Sequence, residues 1–269
     1  MIFQPKTTYE LEQAIKKYCE NDDQSNGNIN DWDVSLITDM SKIFYCGCDN
    51  IFNCNKKIHK FNQPLDKWNV SNVTNMFCMF WKCHEFNQPL NNWNVSKVNN
   101  MRGMFCECLK FNQSLNDWNV SNVTETSWMF NNCKQFNQPL NKWNVSNVIN
   151  MQYMFTDSVK FNQSLNNWNI SNVIDMLFMF HGCKFNLNMQ NFFINSIKKG
   201  NMVTFHEVLK HITIIKLYCL INDENLIKNI ASFHQMNQIN DYIKKSSIDI
   251  CKSCYLETKC INNICVFCE

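Results

Sequence analysis

Residues 86–110 read FNQPLNNWNVSKVNNMRGMFCECLK. The stretch returns along the chain with a constant step of 25: Phe at Phe61, Phe86, Phe111, Phe136 and Phe161, and Trp at Trp68, Trp93, Trp118, Trp143 and Trp168. The pair Met79-Phe80 keeps the same step through Met104-Phe105, Met129-Phe130, Met154-Phe155 and Met179-Phe180. The unit is FNQPLxxWNVSNVxNMxxMFxxCxx. A worn copy precedes it, from Trp32-Asp33-Val34-Ser35 to Phe44, separated from the next by an insertion around 51–59. Phe185-Asn186 is a truncated echo after the last full copy. Five good copies and one worn one make an array, and arrays of this period bury their apolar residues by stacking.

In one copy the apolar set is Phe86, Leu90, Trp93, Val95, Val98, Met101, Met104, Phe105 and Cys108, with polar residues filling the gaps. A single copy cannot cover that set, but stacked copies share it as one column. Residues 86–95 have extended character, with Pro89 tolerable at a corner or strand start. Met101, Met104, Phe105 and Cys108 follow at i, i+3, i+4 and i+7, which predicts a short helix. The expected fold class is an α/β repeat: a leucine-rich-repeat-like solenoid of parallel strands and short helices. An N-terminal helical cap occupies 1–27, the solenoid 28–185, a helical region 186–247 and a Cys-rich tail 248–269.

Composition narrows the function. Hydrophobic residues are 45% of the 269 and charged residues 18%, enough for a core and too few charges for general disorder. A net charge of +2 gives no case for nucleic acid or a membrane surface. The 5 Gly form no phosphate-binding loop, and no Gly-x-Ser-x-Gly elbow is present. His206 and His211 are five apart, which puts them on different helix faces and rules out a zincin pair. No enzyme is expected. The N-terminal residues lack a basic and an apolar region, and no stretch is apolar enough to span a bilayer. The expected address is therefore intracellular, without membrane insertion.

Trp68-Asn69-Val70-Ser71-Asn72-Val73-Thr74-Asn75-Met76, then Met79-Phe80 and Cys83, with Phe-Asn-Gln-Pro-Leu between units, resembles the BspA-like leucine-rich-repeat relatives. These are 25-residue repeats of bacterial surface lipoproteins that are also abundant in giant DNA viruses of amoebae. The opening Phe3-Gln4-Pro5-Lys6 and Asn30-Asp31-Trp32-Asp33 resemble that family's leader. Heavy use of Asn, Lys and Ile suits the AT-rich viral branch. The resemblance implies a non-enzymatic scaffold, in host cytoplasm or a virion, whose partner is an unknown protein; surface members are thought to bind host proteins. The alternative is a self-assembling structural component of a virus particle. This chain departs from the surface members in lacking a lipoprotein signal.

The ends and the variable positions supply the candidate sites. Thr7 to Glu10 forms a capping box, and Leu11, Ala14, Ile15 and Tyr18 make an apolar face, which predicts a helix over 8–20. A second capping box, Thr204 to Glu207, opens the C-terminal helical region. In the tail, Cys251-x2-Cys254 and Cys265-x2-Cys268 can wrap one structural Zn²⁺, with Cys260 surplus; disulfides or a loose reactive tail are the other outcomes. Cys83, Cys108, Cys133 and Cys183 fall in a column at the repeat step with Ser158 standing in once, and core packing is favoured over a disulfide or metal ladder. Asn69, Asn94, Asn119, Asn144 and Asn169 match the glycosylation sequon, but turn chemistry with stacked Asn side chains is the better reading. Residues flanking each Met-Phe pair vary and are expected to face outward. Trp81, Trp128, Tyr153 and Phe178 lie there and are the candidate protein-binding residues, since aromatic side chains dominate interface hot spots.

Overall fold

The computed structural model describes residues 2–21, 23–45, 57–184 and 192. The chain divides into two compact units, 1–192 and 193–269. The expected helical region at 186–247, the Cys-rich tail, and with them Cys251, Cys254, Cys265 and Cys268, lie outside the described residues.

Each repeat makes one winding, and successive windings lie side by side. Single parallel bridges join Asp39 to Asn75, Asn75 to Asn100, Asn100 to Glu125, Glu125 to Asn150 and Asn150 to Asp175. The strand expected over 86–95 does not form, and the one-residue bridges lie instead at Asn100 and its equivalents, at the start of the run expected to be helical. The reason lies in Phe-Asn-Gln. The backbone N–H of Asn87 donates to the Asn62 side chain at 2.9 Å, not to a neighbouring carbonyl. Asn112, Asn137 and Asn162 repeat the arrangement one winding at a time. A side-chain ladder therefore replaces the backbone ladder along this edge.

The expected short helix over 99–108 is also replaced, by a run of turns. Met101, Met104, Phe105 and Cys108 are fully buried, so the apolar pattern faces inward as a helix stripe would. The backbone differs because alternate N–H groups leave the winding. Met101, Gly103, Phe105 and Glu107 donate to Glu125, Ser127, Met129 and Asn131 of the next winding, at 2.8–3.0 Å. Met104, Cys106 and Cys108 donate three residues back within their own winding. An α-helix would keep all of these groups inside one copy. This alternation needs left-handed residues at two register positions. Cys78, Gly103, Trp128, Tyr153 and Phe178 occupy one, and Lys82, Glu107, Asn132, Asp157 and Gly182 the other, all with φ between +53° and +72°.

The interior is a set of aromatic columns. Phe80, Phe105, Phe130, Phe155 and Phe180 stack at centroid spacings of 5.5–5.8 Å, with rings within 9° of parallel. Phe86, Phe111, Phe136 and Phe161 form a second stack at 6.0 Å. The tryptophans are buried beside them, and each indole N–H finds a carbonyl one winding back: Trp93 to Leu65, Trp118 to Leu90, Trp143 to Leu115 and Trp168 to Leu140, at 2.8–3.0 Å. A buried indole needs such a partner, which is why Trp holds its place in every copy.

Helix α1, Thr8–Asn21, closes the N-terminal side of the array. Its capping box forms, with Glu10 N–H donating to Thr7 Oγ1, while the Glu10 carboxylate takes the N–H of Lys6. Leu11, Ala14, Ile15 and Cys19 are buried. Phe3 and Tyr18 meet Trp32 edge-on at 4.9 and 5.9 Å. Thr8 Oγ1 donates to Asp39 O at 2.7 Å. In every later winding the carbonyl at that register position accepts an N–H from the winding before it, so the cap supplies the donor that no earlier winding provides.

Candidate interaction surface

The tryptophan, phenylalanine and methionine columns are consumed by the core, so the surface is written by the residues around them. Trp128, Tyr153 and Phe178 share one register position on three consecutive windings and form a half-buried ladder. Trp128 stacks on Tyr153 at 4.3 Å, and Tyr153 meets Phe178 at 5.3 Å. All three carry positive φ. An L residue in that region costs on the order of 1–2 kcal/mol, and glycine would avoid the cost. Three large aromatic side chains at a position that favours glycine are an outlier that packing alone does not require.

Trp81 sits three register positions further on, so it is not part of that ladder. Its ring meets Tyr45 at 5.9 Å and leans over Gly103, where an added Cβ would lie 3.5 Å from the indole. Gly103 stands where the ladder residue would be in its winding. Tyr45 and Trp81 therefore form one aromatic group, and Trp128, Tyr153 and Phe178 another.

The expectation that residues flanking the Met-Phe pair all face outward needs correction. Cys78, Cys106, Ser127, Asn131 and Thr156 are buried. Cys106 and Thr156 are covered by the next winding. Cys106 Sγ lies 3.6 Å from Asn131 Oδ1, and Thr156 Oγ1 donates to Phe178 O at 2.6 Å. Sequence variability alone does not separate these positions from the half-buried aromatic ones.

The cysteine column is chemically quiet. Cys108, Cys133 and Cys183 donate from Sγ to Phe80, Phe105 and Phe155 carbonyls at 2.9–3.0 Å, and Ser158 Oγ donates to Phe130 O in the same way. Burial pushes the Cys108 and Cys133 thiols well up, and that of Cys183 to about 12. All are free thiols. Among the described residues no cluster of His, Cys, Asp or Glu is arranged to hold a metal ion, and no helix is long and apolar enough to cross a membrane.

The sequon asparagines serve the turns. Asn69, Asn94, Asn119, Asn144 and Asn169 each accept the N–H of the serine two residues on, and Asp33 does so in the worn copy. Asn72, Asn122, Asn147 and Asn172 then donate to a carbonyl of the previous winding.

Comparison with known proteins gives one family model, described as "Mycoplasma protein of unknown function, DUF285", which matches residues 11–127 and 112–211. No curated protein and no solved structure matches.

Proposed function

The chain belongs to the DUF285 repeat family, and from that premise we propose that it is a non-enzymatic scaffold that binds another protein through its half-buried aromatic groups. The finer reading is a leucine-rich-repeat-like solenoid of the BspA-like type, encoded by a giant DNA virus. One observation carries the proposal: Trp128, Tyr153 and Phe178 hold a ladder at a backbone position that penalises them. Their faces are partly covered by one another, so they present a pre-ordered apolar edge that loses little side-chain freedom on binding. Trp81 with Tyr45 offers a second such group.

The test is a pull-down from host extract with the intact protein beside a variant carrying Ala at Trp81, Trp128, Tyr153 and Phe178. A partner should be retained by the first and lost by the second, with both showing the same circular dichroism. Equal recovery by both would defeat the aromatic assignment. Light-scattering mass separates the alternative: open-ended oligomers of the pure protein would transfer the reading to a self-assembling particle component.

A further inference from the structure

The face that carries the aromatic groups is charged unevenly along the array. Contacts tie its register positions together: Lys42 Nζ lies over the Phe77 ring at 5.2 Å, the Trp81 indole leans over Gly103, and Trp81 Nε1 donates to Glu107 at 3.4 Å. In the three windings up to Glu107 this face presents Lys42, Lys82 and Arg102, with Asp39 and Glu107 as its carboxylates. In the three windings from Glu125 on, the same register positions hold Glu125, Asp157 and Asp175 and no Lys or Arg. One half is thus net positive and the other purely acidic. The three cations and the three later carboxylates are all exposed or half-buried, and none of the six is in a salt bridge among the described residues.

A second copy of the chain meets that pattern in one orientation. A two-fold axis lying in the face and running across the windings, between that of Gly103 and that of Trp128, reverses the winding order and sets each register position opposite itself. Lys82 of one copy then falls opposite Asp157 of the other, both at the second left-handed position. Arg102 falls opposite Ser127, two residues from Glu125. Lys42 comes to the winding of Asp175 and offsets the approach of Asp39 to that carboxylate. Tyr153 falls opposite Cys78, between Phe77 and Trp81, so half-buried rings meet between the charged pairs. An axis along the array would instead set basic windings on basic and acidic on acidic. The net charge of +2 leaves association without strong general repulsion.

We infer that this face pairs with a second copy of the chain in reversed winding order, with Lys82 against Asp157 and Arg102 against Glu125 around the aromatic groups. The inference rests on the reading of the face as an interaction surface and names its occupant. Opposed charges around apolar rings fix orientation and exclude the alternative register more than they add affinity. Both copies use the same face, so association stops at two.

The experiment is sedimentation equilibrium of the full chain under reducing conditions. The unmodified chain should pass from monomer to dimer and no further as its concentration rises, and added salt should weaken the dimer. Lys82→Asp and Asp157→Lys should each weaken it about tenfold, since each swap sets like charges together at two symmetric contacts. This register position holds Lys, Glu, Asn and Asp in different windings, so either swap suits the backbone, and unchanged circular dichroism checks it. Mixing the two single variants should restore the dimer, because aspartate then meets lysine at both contacts. A chain that is monomeric at every concentration, a dimer indifferent to both swaps, or a mixture no tighter than either variant alone would overturn the pairing. A partner captured through the aromatic residues by a chain that stays monomeric would leave the scaffold reading standing and remove only this one.

Discussion

Ser158 shows how one register position is chosen. Its equivalents Cys108, Cys133 and Cys183 are thiols whose Sγ donates to a carbonyl one winding back, and the serine hydroxyl makes the same bond to Phe130 O. That carbonyl already accepts the N–H of Cys133 at 3.1 Å, so the position requires a small donor and not sulfur chemistry. Ser158→Cys should therefore be close to neutral. Ser158→Ala stays close to the volume but removes the donor and one of the two hydrogen bonds to a buried carbonyl, and it should cost about 1–3 kcal/mol. Urea unfolding of the two variants checks this; equal loss in both would mean that volume, not the donor, sets the position. Gly103 illustrates the opposite constraint. At φ +62° an added Cβ would sit 3.0 Å from Cys78 Sγ, so here the neighbour adds a close contact to a backbone position that Cys78, Trp128, Tyr153 and Phe178 occupy in the other windings.

The single winding shows which parts of the sequence were legible. The spacing of Phe, Trp and Met-Phe predicted the buried set, and α1 was readable from its capping box, forming at Thr8–Asn21 where 8–20 was expected. The local backbone was not legible, because i, i+3, i+4, i+7 burial is compatible with a helix and with turns kinked at two left-handed positions. What decides is where the alternate N–H groups go, and their partners are one winding away. For the same reason Trp81 could not be separated from Trp128, Tyr153 and Phe178 before the register positions were compared. A pH effect belongs to this scale. His84 stacks on His59 at 4.9 Å, near Lys82, Glu85 and Glu107, and burial first, then His59, lower its pKa below 6.5. The folded state then binds fewer protons than the unfolded chain, so the stability from neutral His84 is present above the ordinary histidine range and lost as pH falls below it. Asp33 is also lowered, through bonds from Ser35 and Gln4, but its contribution is lost only in the more acidic carboxylate range. Between pH 7 and 5 the urea midpoint should fall, and the fall should be smaller in His84→Asn; an unchanged slope would remove His84 as its source.

The stack as a whole has a direction. In the four windings that run from Met76 to Asp157 the N–H groups at four alternate positions point to the following winding and the carbonyls just before them point to the preceding one, so the two sides of a winding are unlike and windings add in one sense only. The cap is correspondingly specific: α1 brings a hydroxyl donor to Asp39 O, the kind of group the first carbonyl-bearing side lacks. Because each winding bonds only its neighbours and every bond recurs at the same step, stability should be close to a sum of winding and interface terms. Deleting residues 111–135 joins Lys110 to Phe136 in register. Asn100 then faces Asn150 across the new bridge, Trp143 reaches Leu90, and Ser158 reaches Phe105. The shortened chain should fold, with a far-ultraviolet spectrum of the same form and a urea m-value lower by roughly a sixth, since m follows the surface exposed on unfolding. Deleting 111–122 alone leaves a winding without Phe111, Leu115, Trp118 and Val120 and shifts every later column off its partner; that chain should lose the cooperative transition. If instead both deletions unfold alike, the windings are not separable units, and the array depends on contacts between residues more than one repeat apart.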